Sequence, residues 1–304
     1  MNFLRTLPLS LLCVLALTTV CNLQMATAQT ATELETHVTY LASDELQGRD
    51  TGSEGYAKAA KYVYEQCKEY GLQVEYQPVR VAGGKCKNVI AQLVGENTER
   101  VIIIGAHLDH IGTTRRGTPY NGADDNSSGS AAVLGLAKRF AEGPKPRYTI
   151  TFQWYTAEER GLLGSKYYVK NPLLPKGDPD ISKHIFMLNL DMIGRYQQIL
   201  GAMDDPDVPA ILREFYEKYP LAKDVTFRNN SGSDHRSFEG DMPVIFLHTG
   251  LHSDYHRTTD DSDKLNYDGM EQICEYAYTL VNMILGESLD YNLWVSLPVY
   301  KGKP

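Results

Sequence analysis

The apolar positions change period several times along the chain. Over residues 32–46, Leu34, Val38 and Leu41 recur at helical spacing, and the glycines of the stretch 48–55 end the run. Ser53 is placed to cap a second helix reaching about Tyr70, where Gly71 stops it. Three β-rich runs follow, at 73–81, 88–94 and 101–105. The last holds Val101-Ile102-Ile103-Ile104, four β-branched residues in a row, as in a strand buried on both faces. Helical patterns at 127–141, 162–169, 208–219 and 267–285 then alternate with strand-like runs at 148–155, 185–190 and 243–248. The alternation predicts an α/β fold, with one mostly parallel mixed sheet flanked by helices on both faces. A length of 304 residues, 42% of them hydrophobic, suits one such domain.

The polar residues collect where the apolar runs stop. The run ending at Ala106 meets His107 and Asp109, and the run ending at Ala157 meets Glu158 and Glu159. The run ending at Leu190 meets Asp191, and 243–247 leads into a loop carrying His256. Open α/β sheets bind ligands beyond the carboxyl ends of their strands. Four strand ends bearing only His, Asp and Glu would therefore aim several metal-binding groups at one sheet edge. Imidazole and carboxylate without thiolate suit zinc, with cobalt or manganese as substitutes. One zinc needs three protein ligands, so five or more candidates point to two metals sharing a carboxylate. Such a pair can activate a water, and a nearby glutamate can accept its proton. Glu158-Glu159 offers one carboxylate for each task.

Five motifs in order resemble those of the secreted bacterial leucyl aminopeptidases, a family that also contains glutamate carboxypeptidases and animal-type glutaminyl cyclases. They are His107-Leu108-Asp109, the stretch 122–129, the stretch 157–162, the stretch 190–194 and Tyr255-His256. The resemblance runs from about Leu41 to about Leu285. Each motif alone is weak, and an Asp-Asp-Asn run by itself is an ordinary turn. The set in order is specific. It implies a zinc-dependent exopeptidase fold, two Zn2+ per chain and peptide substrates with a free N-terminus. His107 and Asp191 would bind one metal, Glu159 and His256 the other, and Asp125 both, with a cis peptide bond following it. Glu158 would be general base and acid, Tyr255 an oxyanion donor, and Asp109 the holder of the far nitrogen of His107. Asp234 and His235 would line the substrate pocket. Ser233-Asp234-His235 is no serine triad, because triad members come from separate segments and no Gly-x-Ser-x-Gly elbow exists. His110 is not assigned as a ligand. Asp260, Asp261 and Asp263 are expected to be solvated, with one of them able to support His256. The implied activity is hydrolysis of the N-terminal peptide bond by a di-metal-activated water. The alternative is a single-zinc glutaminyl-peptide cyclotransferase, and the complete five-ligand set favours hydrolysis.

The ends of the chain and its charge add a cellular setting. Arg5, the apolar run 7–20 and Ala26-Thr27-Ala28 read as a signal peptide cleaved after Ala28, leaving 29–304 as the catalytic domain of a secreted or periplasmic protein. Val20 makes a poor lipobox before Cys21, which disfavours a lipoprotein. No membrane span is expected after cleavage. A net charge of −8 without basic clusters argues against a nucleic-acid partner. Cys67, Cys86 and Cys274 lie beyond the signal, an odd number with no C-x-x-C spacing, and Cys67 and Cys274 read as small buried hydrophobes.

Overall fold

The computed structural model describes residues 30–81, 84–173, 179–196, 200–202, 226–227 and 232–286. The expected signal segment, the helix expected at 208–219 and the tail at 287–304 lie outside the described residues.

Helix α1 (Ala31–Leu41) is capped by the Thr30 side chain and buries Leu34, Val38 and Leu41. It stops sooner than its apolar pattern suggests. A 3-10 segment, Asp44–Arg49, takes over, with Gln47, Gly48 and Arg49 at positive φ. Helix α2 (Glu54–Glu69) starts under the Ser53 cap, whose hydroxyl accepts from the Tyr56 N–H at 3.0 Å. Strands β1 (Gln73–Val81), β2 (Gly84–Leu93) and β3 (Asn97–His107) follow, then helix α3 (Gly129–Glu142) and β4 (Tyr148–Tyr155). Helix α4 (Leu163–Lys170), β5 (His184–Leu190), the short β6 (Leu200–Ala202) and β7 (Thr226–Phe227), β8 (Val244–His248) and helix α5 (Tyr267–Gly286) complete the described elements.

The eight strands form one sheet in the order β1-β2-β4-β3-β5-β8-β6-β7. Its centre, β4-β3-β5-β8, is parallel, whereas β1 with β2, β2 with β4 and β6 with β8 pair antiparallel. The sheet is thus mixed, as expected, with the antiparallel pairs toward its flanks. Alternation along β3 splits the core. Ile102 and Ile104 join the large cluster under α1, α2, α3 and α5, while Ile103 joins a smaller one with Tyr155, Tyr168 of α4 and Phe238. Side chains on opposite faces of a strand need a cover on each side, and that explains the unbroken apolar run. Cys67, Cys86 and Cys274 are buried and free.

Register aligns the carboxyl ends of the parallel strands. His107 sits beside Tyr155, Gly105 beside Asn189, and Leu190 beside Leu247. Whatever follows each strand therefore emerges on the same edge. Among the described residues, no helix is long and apolar enough to cross a membrane.

Candidate metal centre

His107 is the last residue of β3, and its ring is fully buried. Its Nδ1 lies 3.0 Å from the main-chain carbonyl of Asp109. A carbonyl can only accept, so Nδ1 carries a proton and Nε2 is the nitrogen that faces the centre. The contact expected from Asp109 to this nitrogen is made by that carbonyl. The Asp109 carboxylate stands 4.0 Å away, because Thr51 Oγ1 (2.9 Å) and the Glu158 N–H (3.0 Å) donate to it. Asp109 thus ties the β3 end to the turn carrying Glu158.

Asp125 occupies the middle of the centre. Its Oδ1 lies 3.3 Å from His107 Nε2, and its Oδ2 lies 3.1 Å from His256 Nε2. Asp191 Oδ1 is 3.4 Å from the same His107 nitrogen, and Glu159 Oε2 is 3.3 Å from the same His256 nitrogen. Two atoms bound to one tetrahedral zinc at about 2.0–2.1 Å stand roughly 3.3 Å apart. The spacing therefore fits two adjacent metal positions that share Asp125. Asp191 Oδ1 is buried and accepts no hydrogen bond, which also fits a cation-binding role.

The Asp125 loop is built to hold that carboxylate. The Asp125–Asn126 peptide bond is cis. Asn126 Oδ1 accepts from the Gly129 and Met192 N–H groups, and its amide donates to the Leu190 carbonyl at 3.0 Å, tying the loop to the end of β5. A Cβ at Gly129 would lie 2.2 Å from the Leu190 carbonyl oxygen, so only glycine permits this approach. Asp124 is taken up by other partners. It accepts from the Gly194 N–H at 2.6 Å and lies 3.0 Å from His252 Nε2.

Electrostatics of the site reflect a surplus of carboxylate. Burial pushes Glu158 up to about 10, with the charges of Asp234, Asp191 and Glu159 adding to the rise. Contacts with Asp125 and then Glu159 carry His256 up to about 10. Burial alone would lower His107, but Asp191 and Glu158 lift it well above the usual imidazole range. Asp234 is buried close enough for its charge to act on Glu158. Burial pushes it up to about 7, with Asp109 and Asp191 contributing. His235 stacks on Phe246 of β8 at 4.4 Å between ring centres, and its Nε2 lies 3.8 Å from Glu239. The Tyr255 ring lies against His256 at 3.9 Å and is partly exposed.

A family model described as "Peptidase family M28" matches residues 88–281. The chain belongs to peptidase family M28. Leupeptin-inactivating enzyme 1 of Streptomyces exfoliatus is 32% identical to this M28 chain over 227 residues. That match covers 74% of the M28 chain and 49% of the relative, so the chain spans about half of that relative's length. An aminopeptidase of Pseudomonas aeruginosa is 40% identical over 107 residues, 35% of the M28 chain and 18% of the relative. In fold, the M28 chain is similar to BSAP, a zinc aminopeptidase from Bacillus subtilis. The TM-score is 0.72 at 14% identity, covering 87% of this chain and 97% of that one.

Three residues of the M28 chain matter more than their sequence context implies. Asp260 is buried, not solvated: its Oδ2 accepts from the Asp124 and Asp125 N–H groups at 2.9 and 3.1 Å, and Arg195 donates to its Oδ1. Its support thus goes to Asp125, not His256. In sequence it is one acid in an acidic loop. Arg49 is buried and donates to the carbonyls of Leu41, Leu108, Asn121 and Gly122. It pins both ligand loops, and only a short positive-φ turn marks it locally. His110 is also buried, with Nδ1 2.9 Å from Glu159 Oε1. Its place one residue after His107-Leu108-Asp109 was the available signal.

Proposed function

We propose that this chain is an exported aminopeptidase that hydrolyses the N-terminal peptide bond of peptides with two zinc ions. One observation carries the reading. The two oxygens of Asp125 each face a separate imidazole–carboxylate pair, His107 with Asp191 and His256 with Glu159. Family membership and the zinc aminopeptidase of like fold support it.

In this reading those five residues hold the metals. Bound zinc would lower the pKa of water and polarise the substrate carbonyl. Glu158 takes the proton from the attacking water and delivers it to the leaving amine. The metal-free position of Glu158, near 10, must fall for it to serve as a base at neutral pH, and neighbouring cations act in that direction. Its backbone is fixed by Asp109, which holds the carboxylate's approach constant. The carboxylate-rich edge draws the free α-ammonium group of the substrate. Tyr255, beside His256, donates to the oxyanion, and Asp234 and His235 border the first side chain. Residues 1–28 act as a signal peptide and 29–304 as the catalytic domain.

The test is an assay of purified protein on aminoacyl anilides and N-terminal glutaminyl peptides, before and after chelation and zinc repletion. Release of free amino acids should vanish on chelation and return with about two zinc per chain. Glu158→Gln should bind zinc normally and lose at least about 100-fold in kcat. Release of ammonia with a pyroglutamyl product would replace this reading with the cyclotransferase. Sequencing of the exported protein should find Gln29 at the N-terminus.

A further inference from the structure

His110 lies among the residues proposed to hold the second metal. Its Nδ1 is 2.9 Å from Glu159 Oε1 and 3.7 Å from Asp125 Oδ2. These unequal edges differ from the 3.1–3.4 Å separations among His107, His256 and their carboxylate partners. A separation of 2.9 Å is a hydrogen bond of ordinary length, whereas two ligands of one zinc stand roughly 3.3 Å apart. A carboxylate that binds a cation is ionised and can only accept. His110 is therefore the donor, through Nδ1–H.

The ring is fixed from several sides. The His110 N–H donates to the Arg49 carbonyl at 3.2 Å, which holds its backbone beside the buried arginine. Gly122 closes over the ring, since a Cβ there would lie 2.6 Å from His110 Cδ2. His256 meets the ring edge-on at 5.7 Å, and His110 Nε2 is buried without a hydrogen-bond partner. A ring so confined presents one nitrogen to one carboxylate oxygen. That leaves Glu159 Oε2 turned toward His256 Nε2.

We propose that His110 is a positioning residue for the second metal site, where its Nδ1–H occupies Glu159 Oε1 so that only Oε2 is offered to the cation. The proposal rests on the two-metal reading above. His110, Asp125 and Glu159 also lie close enough to share a cation, and it is the unequal separations from His110 Nδ1 that favour a donor over a ligand. Partners that orient a ligand in this way are typically worth about 10–100-fold in metal affinity.

The experiment is zinc competition against a chromophoric chelator, with metal-free wild type, His110→Phe and His110→Asn. In His110→Phe the second zinc should bind about 10–100-fold more weakly and the first with unchanged affinity. In His110→Asn, whose amide nitrogen can take the place of Nδ1, most of the loss should be recovered. X-ray absorption of the zinc-loaded His110→Asn protein should show as many imidazole ligands as wild type. If His110→Phe does not fold, His110→Gln, whose amide reaches the Nε2 position instead, replaces it in the comparison. Equal affinity in wild type and His110→Phe or His110→Gln overturns the proposal alone. Loss of an imidazole from the metal shell of His110→Asn also overturns it, by making His110 a ligand. A wild type that binds a single zinc overturns the two-metal reading and this proposal together.

Discussion

Two histidines remote from the metal centre set a pH limit on the fold. Burial pushes His37 and His184 down to about 4. Each sits neutral beside a tyrosine hydroxyl, Tyr62 at 2.7 Å and Tyr168 at 2.9 Å. In the unfolded chain they take up a proton below about 6.5, and in the folded chain only near 4. Their full contribution is therefore present above about pH 6.5 and is lost as pH falls toward 4. By pH 5 the loss is about 2 kcal/mol for each. Urea unfolding of metal-free protein at pH 7 and pH 5 should show a smaller drop in His184→Gln than in wild type. Equal drops would disprove the claim. His107 and His256, which shift upward, are common to both proteins and cancel in the comparison.

Between elements, the loops that carry the proposed ligands are joined by a few buried polar side chains. Arg49 joins the end of α1, the β3 end and the Asp125 loop through main-chain carbonyls alone. Arg49→Met should cost about 3–5 kcal/mol, because several buried carbonyls lose a charged donor together. Arg49→Lys should recover little, since an ammonium cannot reproduce the planar fork. Chemical denaturation of the metal-free proteins measures both. Asp260 does for the Asp124 and Asp125 N–H groups what a capping side chain does for a helix start, with Arg195 behind it. Asp260→Ala should weaken zinc binding and lower stability together, and loss of only one of the two would separate the loop's shape from its charge.

At the scale of the whole molecule, the proposed ligands come from the ends of β3, β4 and β5, the Asp125 loop and the long loop after β8, so metal binding should report on the entire fold. Zinc at about 100 times its dissociation constant adds roughly 2.7 kcal/mol for a site formed only in the native state. Calorimetry should show a melting transition that rises with free zinc and returns to the metal-free value on chelation. A transition insensitive to zinc would mean that the native chain binds it no better than the unfolded one, contrary to a site assembled by the sheet.

Local pattern determined the parts of this architecture that depend on near neighbours. The β-branched run of β3 gave its burial on both faces, Ser53 gave the start of α2, and strand β4 has the bounds its apolar run indicates. The order of the five motifs identified the residues that now surround Asp125. Sequence could not say where α1 yields to the 3-10 segment, because the buried Arg49 that fixes that turn bonds to carbonyls as much as 73 residues away. Nor could it separate Asp260 from the exposed acids beside it, or turn Asp109 so that its carbonyl rather than its carboxylate meets His107. Side-chain type and period are properties of a segment, legible in it. Which atom of a polar group meets which partner depends on strand register and on loops meeting across the sheet edge, and only the assembled structure decides that.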